Sequence, residues 1–164
     1  MGRHSPSDSF RIPRGLSMRQ DTETRTVILG VAASDSHVVA NHLIAHALRA
    51  EGFQVVNLGA CTSVAEFAAA HAEHPEAEAV IIGSLNGHAH ADLQDLPAAR
   101  AAGRLRCPVI LGGNLSVGSY KGAADHERLY ALGIDVVLSD LGELPTALDE
   151  LRARSTAAAP VAAS

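Results

Sequence analysis

Aromatic residues and cysteine are scarce in this sequence. Phe, Tyr and Trp together make up 3 % of its 164 residues, and there is no tryptophan. The two cysteines, Cys61 and Cys107, form no CxxC pair. Nothing in the cysteine pattern therefore points to an oxidising compartment, and we expect a reduced, cytoplasmic chain.

Concentrated positive charge and long apolar segments are also missing. Lys and Arg number 13 against 18 Asp and Glu, which gives a net charge of −5, and no basic cluster occurs. That balance argues against a nucleic-acid partner. No apolar run approaches the ~20 residues that span a bilayer, and the arginine-containing start has no apolar signal segment. We expect no membrane partner.

The sequence lacks the motifs of two common kinds of site that bind or accept phosphate. No GxxxxGK[ST] sequence is present, which excludes a P-loop. A response-regulator phosphoacceptor site needs an acidic pair after the first strand and an Asp at the end of the third. The third predicted strand ends in Gly83 and Ser84, which argues against that site.

What the sequence does contain is a regular alternation of short apolar runs and helical patterns, with 47 % hydrophobic residues. Ser63 and Glu66 have the spacing of a capping box, and Gly103 and Gly133 are typical helix stops. Asp92 is a candidate cap for the third helix. The predicted strands are 26–31, 53–58, 79–82, 108–111 and 135–138. The predicted helices are 38–51, 64–74, 92–102, 123–132 and 143–153.

Five consecutive βα units predict an α/β fold with a doubly wound, five-stranded parallel sheet. The flavodoxin-like, Rossmann-like order 2-1-3-4-5 is favoured, with its ligand at the switch point between strands one and three. We expect the folded domain to span residues 24–154. Residues 1–23 and 155–164, without periodic pattern, are predicted to be disordered extensions.

Three loops should meet at the carboxyl edge of that sheet. The first carries Ser34, Asp35, Ser36 and His37. The second spans residues 83–88 and the third residues 112–118, and both are rich in glycine. Bare backbone of this kind allows a flat or bulky ligand to approach closely. His42 with His46, and His88 with His90, have metal-ligand spacing, but no carboxylate or thiol motif joins them, so zinc is not predicted.

Taken together, the loops resemble the cobalamin-binding domains of B12-dependent mutases, and among them the small subunits of glutamate mutase. Asp35-x-His37-x-x-Ala40, Gly83-x-Leu85 and Gly112-Gly113 stand where that family has D-x-H-x-x-G, S-x-L and G-G. The similarity spans roughly residues 25–153. Ala40 and Gly83 depart from the pattern. We expect the methyl group of Ala40 to narrow the groove for the nucleotide tail of the cofactor, and the missing hydroxyl at Gly83 to cost that tail one hydrogen bond.

The resemblance implies that the chain binds adenosylcobalamin, with His37 as the lower axial ligand of cobalt. Asp35 would accept a hydrogen bond from the other ring nitrogen of His37, and the nucleotide tail would lie between the sheet and helix one. No catalytic residue is implied in this subunit. The implied cofactor-binding residues are Ser34, Asp35, Ser36, His37, Val38, Ala40, Gly83, Ser84, Leu85, Asn86, Gly87, Gly112, Gly113 and Asn114.

The implied activity is that of an isomerase, the reversible rearrangement of L-glutamate to threo-3-methylaspartate. The substrate would sit on a separate barrel-type large subunit, so the two subunits form a hetero-oligomer and this chain is inactive alone. Two alternatives remain at this point. One is a non-catalytic cobalamin carrier or sensor, and the other is a flavodoxin-like module for a different flat ligand such as FMN.

Overall fold

The structure is a computed structural model that describes residues 23–113 and 123–158. Its centre is a five-stranded, all-parallel sheet with the order β2-β1-β3-β4-β5. This confirms the predicted fold class and strand order. The strands are β1 Thr26–Val31, β2 Gln54–Asn57, β3 Ala79–Ser84, β4 Val109–Gly113 and β5 Val136–Leu138.

Helices cover both faces of the sheet, because alternate strand residues point to opposite sides. On one face Ile28 packs with Phe67 and Leu96, and on the other Leu29 packs with Leu48 and Leu148. Both clusters are buried, which makes the sheet doubly wound. The helices are α1 Val38–Ala50, α2 Val64–Glu73, α3 Ala89–Asp92, α4 Leu96–Ala101, α5 Ala123–Ala131 and α6 Leu144–Ala158, with a 3-10 turn at Leu141–Glu143.

Two local predictions are confirmed at helix ends. Ser63 and Glu66 form the capping box at the start of α2, with the Ser63 hydroxyl accepting from the Glu66 amide. Gly103 and Gly133, which follow helices, both have positive φ values, of 68° and 95°. These residues stop their helices because glycine takes up the left-handed conformation at little cost.

The third predicted helix is wrong in form. It is two short helices, α3 and α4, and Asp92 is the last residue of α3 instead of a cap. Pro97 lies in the first turn of α4, where its missing N–H costs no helical hydrogen bond but prevents a continuous helix through that point. The last helix runs further than predicted, to Ala158. No helix in the described ranges is both long and apolar enough to cross a bilayer.

Strands β3 and β4 also extend beyond their predicted ends. Gly83 pairs with Gly112 and Ser84 pairs with Gly113, so residues assigned to loops belong to the sheet. Glycine is usually a turn residue, which is why the sequence pattern ended these strands too early. The pairing brings two nearly bare backbones side by side at the carboxyl edge.

Gly113 provides a test of this close strand pairing. Its φ is 117°, and a Cβ there would come within 2.2 Å of the Ser84 carbonyl oxygen. We expect Gly113→Ala to lower the free energy of unfolding by roughly 2–5 kcal/mol, from backbone strain and steric overlap together. Urea unfolding of the protein without cofactor measures this.

Gly83→Ala is the matched control for that substitution. A Cβ at Gly83 would have its nearest contact at 3.9 Å, from the Gly30 carbonyl oxygen. Because glycine weakens a strand interior, this variant should be neutral or more stable by up to about 1 kcal/mol. Equal losses of stability in the two variants would contradict the described pairing.

Candidate functional site

A buried carboxylate and an exposed imidazole form a pair at the carboxyl end of β1. Asp35 lies in the turn after the strand, and His37 immediately precedes α1. The Asp35 side chain is fully buried, whereas 58 % of the His37 side chain is exposed. The Asp35 Oδ1 atom lies 2.5 Å from His37 Nδ1 and also accepts the His37 backbone N–H at 2.9 Å. The Nδ1 edge of the ring is therefore held against Asp35, and the opposite edge faces outwards.

The second oxygen of Asp35 connects this turn to the end of β3. Asp35 Oδ2 accepts the backbone N–H groups of Leu85 and Asn86, at 2.5 and 3.2 Å. Burial opposes ionisation of Asp35, but the hydrogen bonds from Leu85, His37 and Asn86 outweigh it and hold the pKa of the carboxyl below its ordinary value. Asp35 is thus a carboxylate at neutral pH, with both oxygens fully used.

A carboxylate against Nδ1 sets the tautomer of the neutral imidazole. Since Asp35 can only accept, the neutral ring must carry its proton on Nδ1 and leave the lone pair on Nε2. A carboxylate partner of this kind orients a metal-binding histidine and makes its free nitrogen a better donor. The geometry provides one fixed imidazole ligand for a metal that approaches from the solvent side.

Ser34 and Asn86 strengthen the link between the two loops. The Asn86 amide Nδ2 donates to the Ser34 carbonyl at 3.0 Å and lies 2.8 Å from its hydroxyl oxygen. The Ser34 hydroxyl in turn donates to Asp92 Oδ2 at 2.8 Å, and Asn86 Oδ1 accepts the His88 N–H at 3.0 Å. These contacts hold the loops after β1 and β3 in one arrangement.

Beside His37 a narrow groove with a cavity volume of about 40 Å³ lies between α1 and the sheet. Its walls are mainly apolar, and in the described part of the chain only His37 and Asn41 contribute polar side chains. Its floor includes four glycines, so the backbone itself forms part of the surface. The lining residues are Leu29, Gly30, Val31, His37, Ala40, Asn41, Ile44, Ile81, Ile82, Gly83, Leu85, Gly112, Gly113, Leu138, Leu141 and Leu144.

The residues expected from the sequence lie in several different places. Those that line the groove are His37, Ala40, Gly83, Leu85, Gly112 and Gly113. Ser34 and Asn86 line a shallower neighbouring pocket, and Asp35 lies behind His37. Ser36, Val38 and Gly87 are near the rim but line neither the groove nor that pocket. Asn114 lies outside the described residues.

Ser84 differs from its neighbour Gly83 in the face that it occupies. The side chain is completely buried and is absent from the groove lining, and its hydroxyl has no hydrogen-bond partner in the part of the chain that the structure describes. Successive residues of a strand point to opposite faces, so Ser84 cannot present its hydroxyl where Gly83 lies.

Several groove residues were not in the predicted set. Asn41 and Ile44 follow Ala40 on α1, and Ile81 precedes Gly83 by two residues on β3. The spacing of Ile81, Gly83 and Leu85 is the signal that could have identified one wall, since alternate strand residues share a face. The opposite wall, formed by Leu138, Leu141 and Leu144, belongs to β5 and the start of α6 and carries no local signal.

Large apolar side chains are exposed on α1 and on the far wall of the groove. Val38, Val39 and Leu43 on α1 are 42, 71 and 65 % exposed, and Leu141 across the groove is 48 % exposed. Such a concentration on a small domain is typical of a surface that a ligand or a partner covers. Within residues 23–113 and 123–158, no three His, Cys, Asp or Glu side chains converge as a metal cluster would require.

Known proteins are similar to this chain over most of its length. Residues 25–151 match the family model of the B12 binding domain. The chain is 44 % identical to the glutamate mutase sigma subunit of Halobacterium salinarum, over 70 % of this chain and 76 % of the relative. It is 41 % identical to glutamate mutase sigma subunit 2 of Haloarcula marismortui, over 79 and 86 % of the two chains. The sigma subunit of Clostridium tetanomorphum is 34 % identical over 70 and 84 %.

Solved structures share the fold at lower identity. A cobalamin-binding protein from Desulfitobacterium hafniense aligns with a TM-score of 0.59 and 19 % identity, covering 82 % of this chain and 59 % of that chain. The methanol:cobalamin methyltransferase complex of Methanosarcina barkeri aligns with a TM-score of 0.63 and 20 % identity, covering 78 and 46 %. The chain thus spans about half the length of these solved chains.

The lowered pKa of Asp35 leads to a prediction about acid stability. Its carboxylate is stabilised by folding, so its contribution is complete above the unfolded-state pKa, near 3.8, and is lost as the pH falls below that value. Asp35→Asn lacks this titration. We therefore expect the wild type to be more stable than Asp35→Asn by a constant amount from pH 7 to about pH 5, with the difference shrinking below about pH 4.

Urea unfolding across this pH range measures the difference. Other carboxylates with lowered pKa values, such as Glu66, titrate in both proteins, so their contributions cancel in the comparison. A stability difference that stayed constant down to pH 3 would show that the Asp35 carboxylate is not held by these hydrogen bonds.

Proposed function

The chain belongs to the B12-binding domain family, and from this we propose that it works as the cobalamin-binding small subunit of glutamate mutase, an isomerase. Glutamate mutase interconverts L-glutamate and threo-3-methylaspartate. The curated relatives are sigma subunits of that enzyme, which does not favour a non-catalytic carrier or sensor. We further propose that the form bound is adenosylcobalamin and that the protein acts in the cytoplasm.

The observation that carries the proposal is the Asp35–His37 pair at the mouth of an apolar groove. A corrin supplies four nitrogen ligands of its own, so the protein needs to add only one axial donor. His37 meets that need, with Nδ1 held by Asp35 at 2.5 Å and its ring largely exposed. His37 would hold the cobalt, and Asp35 would keep the ring in the correct tautomer and orientation.

The groove is the proposed site of the nucleotide tail, which leaves cobalt when a histidine replaces the cofactor's own base. It is apolar and lies beside His37, and its glycine backbone would let a ring approach closely. Ala40 lines it from the first turn of α1, and Gly83 lines it without a hydroxyl. Among the predicted cofactor-binding residues, the tail would contact Ala40, Gly83, Leu85, Gly112 and Gly113. Ser34 and Asn86 would instead hold the loops after β1 and β3 together.

The protein's own residues perform binding and orientation. When bound, adenosylcobalamin supplies the radical chemistry of the rearrangement. His37 would hold the cobalt with its ring oriented by Asp35, and the groove would hold the nucleotide tail. The exposed side chains of Val38, Val39 and Leu43 give the corrin edge or a partner subunit an apolar surface to cover.

Substrate binding would fall to a partner. The groove has no Lys or Arg in its described lining, so nothing there pairs with the two carboxylates of glutamate. A dicarboxylate requires such cationic partners when it is removed from water. We propose that a barrel-type large subunit supplies them, closes over the corrin and forms a hetero-oligomer with this chain.

The axial ligand can be identified by EPR. Cob(II)alamin bound to uniformly ¹⁵N-labelled protein should show a doublet splitting from the axial nitrogen, because His37 carries the label and the cofactor's base does not. Unlabelled protein should show the triplet of ¹⁴N. A triplet that persists in labelled protein would rule out His37.

Asp35→Asn is the companion variant to this measurement. It retains the shape of the side chain but removes the charge that orients the imidazole, and we expect cobalamin affinity to fall on the order of 10–100-fold. His37→Ala should lose the doublet altogether. Unchanged affinity in Asp35→Asn would mean that the pair does not support the metal ligand.

The second expectation is that this chain has no activity by itself. Purified protein with adenosylcobalamin and L-glutamate should form no 3-methylaspartate, since the described lining of its groove offers no cationic group for the substrate. Addition of a glutamate mutase large subunit should restore turnover in proportion to the complex formed. Turnover by the isolated chain would contradict the proposed division between subunits.

A further inference from the structure

Asn41 is a buried amide with one hydrogen-bonding group unused. The residue is 2 % exposed and lies on the first turns of α1, one position after Ala40. Its Oδ1 accepts a hydrogen bond from Asn57 Nδ2 at 2.7 Å, whereas its own Nδ2 has no hydrogen-bond partner among residues 23–113 and 123–158. Buried polar groups in native proteins are nearly always paired, so an unpaired donor requires an explanation.

The orientation of the Asn41 amide follows from the backbone. The Gly59 N–H can only donate, and it lies 2.9 Å from Asn57 Oδ1. The Asn57 amide must therefore turn its Nδ2 towards Asn41, and the Oδ1 atom of Asn41 must accept that hydrogen bond. The chain of donors and acceptors from Gly59 leaves the Asn41 N–H as the free end.

Asn41 links the Asn57 pair to the groove. Asn57 belongs to β2, at the sheet edge beyond β1, and the strands that line the groove are β1, β3, β4 and β5. The two branches of a planar amide diverge, so Nδ2 is directed away from the contact that Oδ1 makes with Asn57. Asn41 is a lining residue of the groove, and His37 is the other polar side chain in the described lining.

We propose that the Asn41 amide N–H donates the hydrogen bond by which this groove recognises the nucleotide tail of cobalamin. The acceptor is either a nitrogen of the lower base or an oxygen of the ribose phosphate. This rests on the proposed function, because it assumes that the tail occupies the groove. It adds a residue that selects complete cobalamin over corrinoids without a nucleotide.

Gly83 explains why this donor matters in this chain. The position on the groove wall has no hydroxyl, although a Cβ there would find nothing closer than 3.9 Å. The neighbouring hydroxyl of Ser84 is on the opposite face of β3, buried away from the groove. A tail with an acceptor would gain a partner from Asn41, and the otherwise unsatisfied donor would gain one in return.

The test compares three corrinoids by isothermal titration calorimetry on the full chain. Cobalamin has a benzimidazole base with a free ring nitrogen, p-cresolylcobamide keeps the ribose phosphate but lacks that nitrogen, and cobinamide lacks the nucleotide altogether. The variants are Asn41→Leu, which removes the donor, and Asn41→Asp, which retains an oxygen for Asn57 but presents no amide donor. The exposed residue His46 on α1 provides the control His46→Leu.

We expect Asn41→Leu to bind cobalamin about two- to tenfold more weakly, the value of one neutral hydrogen bond, with cobinamide unchanged. Asn41→Asp should weaken cobalamin at least as much, and it carries the test if Asn41→Leu does not fold. Unchanged binding of p-cresolylcobamide in Asn41→Leu would assign the bond to the ring nitrogen. A parallel loss would assign it to the ribose phosphate.

Two results would overturn the inference. One is cobalamin affinity that Asn41→Leu and Asn41→Asp leave at the wild-type value, and the other is an equal loss for cobalamin and cobinamide. In both cases binding by the wild type with the His37 doublet intact would leave the proposed function standing. A wild type that binds none of the three corrinoids would instead refute the proposed function itself.

Discussion

The carboxylate of Asp35 is the group on which the site depends. It accepts from both the backbone and the ring of His37 and from the backbone of Leu85 and Asn86. A buried carboxylate is unfavourable unless its oxygens are satisfied, so these contacts must form together. The Asp35 carbonyl also accepts the Cys61 N–H at 3.0 Å, which adds the loop after β2. The ionised side chain thus joins two loops and orients His37, and the backbone carbonyl of the same residue adds the third loop.

The groove depends on a different constraint, the absence of side chains where β3 and β4 end. The two strands continue to pair beyond their apolar segments, through Gly83 with Gly112 and Ser84 with Gly113. The surface of the sheet there is largely backbone. A side chain at Gly113 would overlap the Ser84 carbonyl, whereas one at Gly83 would fit. The fold thus requires glycine at position 113, whereas at position 83 it also has room for a side chain, so the residue there can be selected by the ligand.

The sequence predicts what local physics determines and misses what distant packing determines. The apolar runs, the Ser63–Glu66 capping box and the Asp35–His37 spacing each carry their own signal, and all three appear as predicted. The continuation of β3 and β4 through Gly83 and Gly112, to their ends at Ser84 and Gly113, was missed because glycine is usually a turn residue. The wall formed by Leu138 and Leu141 was missed because it exists only after β5 and α6 pack against the sheet.

Affinity and orientation come from different parts of this site. Apolar walls such as Leu29, Ile44 and Leu144 favour burial of almost any ring of suitable size, because the hydrophobic effect has no direction. A single polar group on such a wall adds little to the total free energy but penalises every pose that leaves it unpaired. In the proposed complex His37 would hold the cobalt end, and one further directional contact at Asn41 would be enough to define how the tail lies. The groove can therefore be nearly featureless and still be selective.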